Sequence, residues 1–221
     1  MNWKTEPYLV VDTESTGLDI ETAEIVEVGF AVFEHGEPVL TDSMLVRPTI
    51  PIPTGATEIH GITDAMVADA PTIEEVGPKV IEALSKFRTV AGHNFLGYDG
   101  PLLSRLVPGF RDACKGHHFL DTLALVRHDD VGRWWKGKGR HRLSEAYRRS
   151  GLDGPHDTDP DEMMAHRAVA DCVMSGRLLW RWMDVLPDDG REAQRAIVAW
   201  RKQQDADFQA WLAKQPKMEG R

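Results

Sequence analysis

The sequence predicts an α/β protein built on a mixed sheet, and three observations carry that prediction. Tyr8-Leu-Val-Val-Asp12 is a short apolar run of the kind buried on both faces of a sheet. Two longer β-branched and aromatic stretches follow it with a turn between them, so the N-terminal part reads as three antiparallel strands. Beyond residue 70, helical patterns alternate with a short strand, the order expected when helices flank a sheet.

Each element has its own signal. After the first strand, Thr16-Gly17 breaks the run. Residues 24–33 form the second strand, His35-Gly36-Glu37-Pro38 the turn, and residues 39–46 the returning strand. A proline-rich connection spans Pro48 to Pro53. Residues 72–87 read as a helix: Thr72 and Glu75 can form a capping box, and Val76, Val80, Leu84 and Phe87 make an apolar stripe. Pro78 within it predicts a kink or a broken start. Residues 89–92 are a short strand, and residues 99–107, 120–127, 140–150 and about 165–186 are further helices. Pro187-Asp-Asp-Gly190 then marks a boundary, giving a domain over residues 1–186 and a C-terminal helical extension over 187–221. On that extension Ala193, Ile197, Trp200, Gln204, Phe208, Trp211 and Leu212 share one broad face. The face either docks on its own domain or binds a partner, for which aromatic residues are favoured anchors.

Composition narrows the function classes. The chain has 221 residues, 42% hydrophobic and 28% charged, which suits a globular domain with a sizeable core. Lys and Arg total 26 against 35 Asp and Glu, a formal net charge of −9. A protein that merely coats nucleic acid would normally be basic, because phosphate neutralisation dominates such binding. An enzyme whose carboxylates hold cations is still allowed. No apolar run is long enough to cross a bilayer, and Met-Asn-Trp-Lys-Thr-Glu-Pro lacks a signal core. Cys114 and Cys172 cannot build a disulfide framework. The expectation is a reduced, cytoplasmic protein with no membrane contact.

Chemistry concentrates in three places. Asp12 and Glu14 lie two apart on a strand, so both carboxylates face one side at its C-terminal end. Like charges so close invite a divalent cation, although Asp-x-Glu also occurs on solvated loops. His93-Asn94-Phe-Leu-Gly-Tyr98-Asp99 comes after a strand, and Asp99 there is either a helix cap or a functional acid. His166-Arg-Ala-Val-Ala-Asp171 is the third. Five residues apart on a helix is about 140° around its axis, so His166 belongs in or just before the first turn. Between Arg127 and Arg142, Arg133, Trp134, Trp135, Lys136, Lys138 and Arg140 interleave basic and aromatic side chains. That pattern suits a single strand with stacked bases, or a solvated loop whose tryptophans fold back.

Asp12-Thr-Glu14-Ser-Thr-Gly-Leu18, the His93–Asp99 segment and His166–Asp171, in this order, resemble the three motifs of the DnaQ-like, or DEDDh, 3′-to-5′ exonucleases. His60-Gly-Ile-Thr63 also matches a segment common in the DNA-directed branch, and the resemblance spans about residues 7–185. It implies an RNase H-like, mixed five-stranded sheet flanked by helices. It further implies that Asp12, Glu14 and Asp171 coordinate two Mg²⁺ or Mn²⁺ ions, with Asp12 bridging them. Asp99 would act directly or through a bound water, and His166 would be the general base. The substrate implied is a DNA 3′ end, single-stranded or frayed, released as nucleoside 5′-monophosphates, with RNA as the alternative. By the same resemblance Thr16, Gly17, Leu18, His60 and Tyr98 would line the terminal nucleotide, while Asn94 of the second motif and, from its own basic-aromatic pattern, the loop's Trp134 and Trp135 are further substrate-binding candidates. A polymerase subunit or a second copy of the chain is the partner the C-terminal helix could engage. A non-catalytic nucleic-acid-binding module on the same fold is the rival reading.

Overall fold

The computed structural model describes residues 2–152 and 167–213. His166 and the acidic stretch before it therefore lie outside the described residues, as does the side chain of Leu212.

The N-terminal meander forms as the patterning predicts. β1 (Tyr8–Ser15) runs antiparallel to β2 (Ile25–Glu34), which runs antiparallel to β3 (Glu37–Leu45). The hairpin loop is only His35-Gly36, both at positive φ (51° and 87°), the conformation that matches strand twist in a two-residue turn. Pro38 is thereby left in β3, on the edge of the sheet, where a missing N–H costs no ladder bond.

Two short helices that no periodicity announces come next: α1 (Thr54–His60) and α2 (Asp64–Val67). At four to seven residues they carry too few turns to write an amphipathic stripe. α3 (Ile73–Ser85) has the expected Thr72–Glu75 capping box and runs unbroken through Pro78. Pro78 is exposed, so the carbonyl it leaves unpaired can turn to water, and the expected break does not occur. β4 (Thr89–Gly92) leads into α4 (Asp99–Leu106), and α5 (Phe110–Ala113) precedes β5 (His118–Asp121). The helix expected over 120–127 is thus shorter: Leu120 and Asp121 belong to β5, and α6 covers only Thr122–Val126. α7 (Leu143–Arg149), α8 (Ala168–Arg181) and α9 (Gly190–Ala213) complete the chain.

The sheet has the order β3-β2-β1-β4-β5, with β4 parallel to β1 and β5 parallel to β4. It is the mixed five-stranded sheet with flanking helices that the family resemblance implies, with β5 added to the four strands read from the residues. Alternation along β1 sorts its side chains between two cores. Leu9 and Val11 join Val76, Val80 and Leu84 of α3 and Leu102 and Leu103 of α4. Tyr8 and Val10 join Cys172, Val173 and Leu179 of α8, with Ala193 and Ile197 of α9. Each fully buried Leu or Val stabilises by about 1.5–3 kcal/mol, so both layers are firmly seated. This parity decides where the chemistry goes. Asp12 and Glu14 share the face of Tyr8 and Val10 and look toward α8, whereas Thr13 looks toward α4.

α9 is anchored as far along as Gln204. Gln194 Oε1 accepts the Phe119 N–H at 3.1 Å, and Gln204 Nε2 donates to the Ala124 carbonyl at 2.9 Å. The connection before it is pinned as well, since Trp3 Nε1 donates to the Pro187 carbonyl at 2.9 Å. Farther along, Phe208 and Trp211 remain more than half exposed.

Candidate active site

Three carboxylates meet at the end of β1. One oxygen each from Asp12, Glu14 and Asp171 lies within 4.8 Å of the others. Asp171 reaches them because α8 packs unusually close to the sheet. Gly29 pairs with Asp12 across β1 and β2, and a Cβ there would fall 2.5 Å from the Ala168 carbonyl carbon. Only glycine lets the first turn of α8 settle directly on β2.

Glu27 fixes that turn. It is 1% exposed, accepts the Ala168 N–H at 3.2 Å, and holds the Arg167 guanidinium through two oxygens at 2.7 and 3.0 Å. Glu14 stands directly opposite Glu27 in the β1–β2 register, a like-charge pairing that Arg167 offsets. Burial works against the charge on Glu27, yet hydrogen bonds from Arg167 and Ala168 hold its carboxyl below the usual range.

Asp99 arrives from the opposite layer. It is the first residue of α4 and 3% exposed, and its Oδ1 accepts both the Thr13 N–H (2.9 Å) and the Thr13 hydroxyl (2.6 Å). The strand end thus lies between an aspartate held from α4 and one carried on α8. Both sit in the first turn of their helix, where the positive end of the dipole favours a carboxylate.

That help falls short of compensating the crowding. Burial, then Asp99, Asp171, Glu14 and Glu27, raise the Asp12 carboxyl well above the ordinary range. Burial and the neighbouring carboxylates push Glu14 up to about 9, with only Arg167 opposing them. Burial raises Asp99 to about 7 against the Thr13 hydrogen bonds. A cluster that holds protons for lack of positive charge, and offers only hard oxygen donors, fits a divalent cation of the Mg²⁺ type.

The loop leading to Asp99 is braced from behind. Asp121, fully buried, caps α6 by accepting the Leu123 N–H at 2.9 Å. It also accepts the Asn94 and Leu96 N–H groups at 3.0 and 3.1 Å. Arg201 of α9 donates to Asp121 Oδ2 (2.9 Å) and to Asn94 Oδ1 (3.1 Å). Asn94 has a φ of 63°, a left-handed conformation that asparagine tolerates. The His93 ring sits half-buried behind this loop. Its Nε2 lies 3.0 Å from the His141 carbonyl, which can only accept, so Nε2 carries the proton and Nδ1 accepts from the Thr122 hydroxyl at 2.9 Å. Burial pushes the His93 pKa down to about 4, keeping the ring neutral.

The residues expected to touch a nucleotide divide. Leu18 is 87% exposed, so it is no core residue and projects freely from the turn after β1. Tyr98 packs partly against the core while its hydroxyl bonds the Gly17 carbonyl and Ser15 Oγ, joining the second motif to the first. Thr16 is buried, its hydroxyl accepting the Glu24 N–H at 2.9 Å. His60 is 4% exposed; its Nδ1 accepts the Ile62 N–H at 3.0 Å, and Nε2 is buried without a well-formed hydrogen bond, near Glu27 and the Ser15 backbone. Asn94 commits its side-chain oxygen to Arg201. Trp134 is 73% exposed with Arg133 over its ring, whereas Trp135 packs toward Leu143 and Tyr147, so the two tryptophans do not form one stacking surface.

Four residues that brace the site escape sequence reasoning. Thr13 hides between two conspicuous acids. Glu27 has a visible signal, as the lone charge in the run from Ile25 to Phe33. Asp121 reads as a cap alone, and Arg201 sits 80 residues from the aspartate it binds.

Comparison with known proteins agrees with this geometry. The exonuclease family model RNase_T matches residues 9–179. An uncharacterized exonuclease, CP81, of Escherichia phage 186 is 32% identical over 190 residues, covering 78% of this chain and 86% of that protein. The DNA polymerase III subunit epsilon of Aquifex aeolicus is 27% identical over 179 residues, 81% of each chain. Among solved structures, Exonuclease X in complex with 5′ overhanging duplex DNA superposes with a TM-score of 0.62 at 27% identity, over 86% of this chain and 99% of that one. That family uses divalent metal ions, and the carboxylate cluster at the end of β1 is where this chain gathers oxygen donors for one. With its three ordered motifs, its mixed five-stranded sheet and these relatives, the chain belongs to the DnaQ-like 3′-to-5′ exonuclease family.

Proposed function

We propose that the protein hydrolyses the terminal phosphodiester at a DNA 3′ end, single-stranded or frayed, and releases nucleoside 5′-monophosphates. The observation that carries this reading is the convergence of Asp12, Glu14 and Asp171 within 4.8 Å, with Asp99 locked alongside by Thr13. DNA is favoured over RNA because Exonuclease X is solved on DNA and the epsilon subunit belongs to a DNA polymerase.

In this reading Asp12, Glu14 and Asp171 hold two Mg²⁺ or Mn²⁺ ions directly, and Asp99 acts directly or through a water. Bound there, such ions neutralise the phosphate and supply an acidified water for in-line attack. His166, next in the chain to Arg167, takes the proton from the attacking water, a task suited to an imidazole titrating near neutrality. The backbone of Thr16 and Gly17 abuts the terminal nucleotide, and the freely exposed Leu18 wedges against its base. Tyr98 holds that turn in position through its bond to Gly17.

A gel assay on 5′-labelled single-stranded DNA and RNA of one sequence tests the reading, with Mg²⁺, Mn²⁺ and EDTA lanes. The DNA should shorten one nucleotide at a time. The ladder should vanish in EDTA and in Asp171→Ala, and weaken by two or more orders of magnitude in His166→Ala. DNA left intact in both metals would overturn the proposal.

A further inference from the structure

We infer that α9 forms one wall of the track that carries the single strand away from the active centre, with Phe208 and Trp211 as its base-stacking platform. The inference rests on the nucleolytic reading above and extends it to a region that no motif covers.

A groove of about 1300 Å³ opens at Asp171 and runs between the 127–142 loop and the outer face of α9. On the loop side it is lined by Arg127, Arg140 and Arg142, none of which has an ion pair among the described residues. On the α9 side it is lined by Trp200, Phe208 and Trp211. Trp200 is half-buried with its ring centroid 4.0 Å from that of His128, which makes a firm floor. Phe208 and Trp211 stack on each other at 5.9 Å and leave about half of each side chain exposed.

Of the acidic side chains on the same walls, Asp171 belongs to the carboxylate cluster of the active site and the other three are engaged. Asp129 holds Arg133 at 2.6 Å, Asp205 lies 3.9 Å from Arg201, and Asp207 accepts from Gln203 at 2.8 Å. Counting Arg133, four arginines balance four aspartates along the groove, in a chain whose net charge is −9. Unpaired guanidiniums facing flat apolar rings match a strand that presents phosphates on one side and base faces on the other. An apolar helix of a partner protein would match the rings and leave three cations without a counterpart.

The test measures the affinity of labelled dT12 and rU12 by fluorescence anisotropy in EDTA, where no turnover occurs. The protein is the full chain and its Phe208→Ala/Trp211→Ala variant. Both side chains are largely exposed, so the variant should keep its melting temperature. Hydrolysis of the nitrophenyl ester of thymidine 5′-monophosphate, with metal, is measured in parallel. Loss of two stacking faces should raise the Kd for both 12-mers at least tenfold and leave kcat and KM for the ester within twofold. Unchanged 12-mer affinity in the variant overturns the inference and turns the aromatic pair into a protein-docking face. A wild type that binds the 12-mers yet leaves the ester intact would instead count against the catalytic reading alone.

Discussion

At the scale of single residues, the acidic cluster is a proton store when no cation fills it. Asp99 is raised to about 7 and Glu14 to about 9, each by burial first, against ordinary values of 3.8 and 4.5. In that window the folded protein binds more protons than the unfolded chain, so stability declines as pH rises from the ordinary carboxylate range through the folded values. Cations displace those protons and bind only the folded arrangement, so they stabilise most where the protons are already being lost. Thermal melts should therefore show two effects. In EDTA the melting temperature should fall between pH 6 and pH 9. Millimolar Mg²⁺ or Mn²⁺ should raise it, and by more at pH 8 than at pH 6. An equal shift at both pH values would mean that the carboxylates are already ionised without metal. The acids themselves are legible in the sequence because two carboxylates at a strand end state their own problem. Thr13 is not, since a threonine in a strand needs no special explanation until Asp99 is found bonded to it.

At the scale of elements, the site depends on how closely α8 approaches β2. The contact is backbone against backbone at Gly29, with Glu27 capping the helix beside it. Gly29→Ala would press a methyl to within 2.5 Å of the Ala168 carbonyl carbon, and no side chain there can swing away. The helix must shift, carrying Asp171 away from Asp12 and Glu14. Overpacking of this kind costs about 1–3 kcal/mol. The expected outcome is a melting temperature lowered by several degrees together with a fall in kcat of at least tenfold, larger than the stability loss explains. Activity equal to wild type in a protein destabilised to that degree would show that α8 does not set the position of Asp171.

The same contact marks the limit of local reading. The strand parity that aims Asp12 and Glu14 at α8 is plain in Tyr8-Leu-Val-Val-Asp12, and the helix is plain in its pattern. That Gly29 is the seat of that helix emerges only from packing between residues about 140 apart. β5 is obscured for a related reason. Four buried residues running into a helix show no period of their own, and a strand that short is defined by its pairing with β4.

At the scale of the whole molecule, α9 is two things along one length. Its first half completes the domain. Ile197 is fully buried in the same core as Val10 and Phe33, and Gln194 satisfies an N–H of the edge strand β5. Arg201 neutralises the fully buried Asp121, which in turn holds the loop leading to Asp99. A chain ending at residue 189 would lose burial of Ile197, worth about 1.5–3 kcal/mol. It would also take the Arg201 guanidinium from Asp121, and losing one partner of a buried ion pair costs about 3–5 kcal/mol. Together these approach the total stability of an ordinary domain, about 5–15 kcal/mol. A chain ending at residue 206 keeps every one of those contacts and loses only the segment that carries Phe208 and Trp211. The two truncations should therefore behave differently in thermal melts and far-UV circular dichroism. The 1–189 chain should lack a cooperative transition at the native temperature. The 1–206 chain should melt within a few degrees of full length and still hydrolyse the thymidine ester, while binding dT12 more weakly. A 1–189 chain that melts cooperatively at the native temperature would mean that the nuclease fold closes without α9, and that Asp121 finds its counter-charge elsewhere.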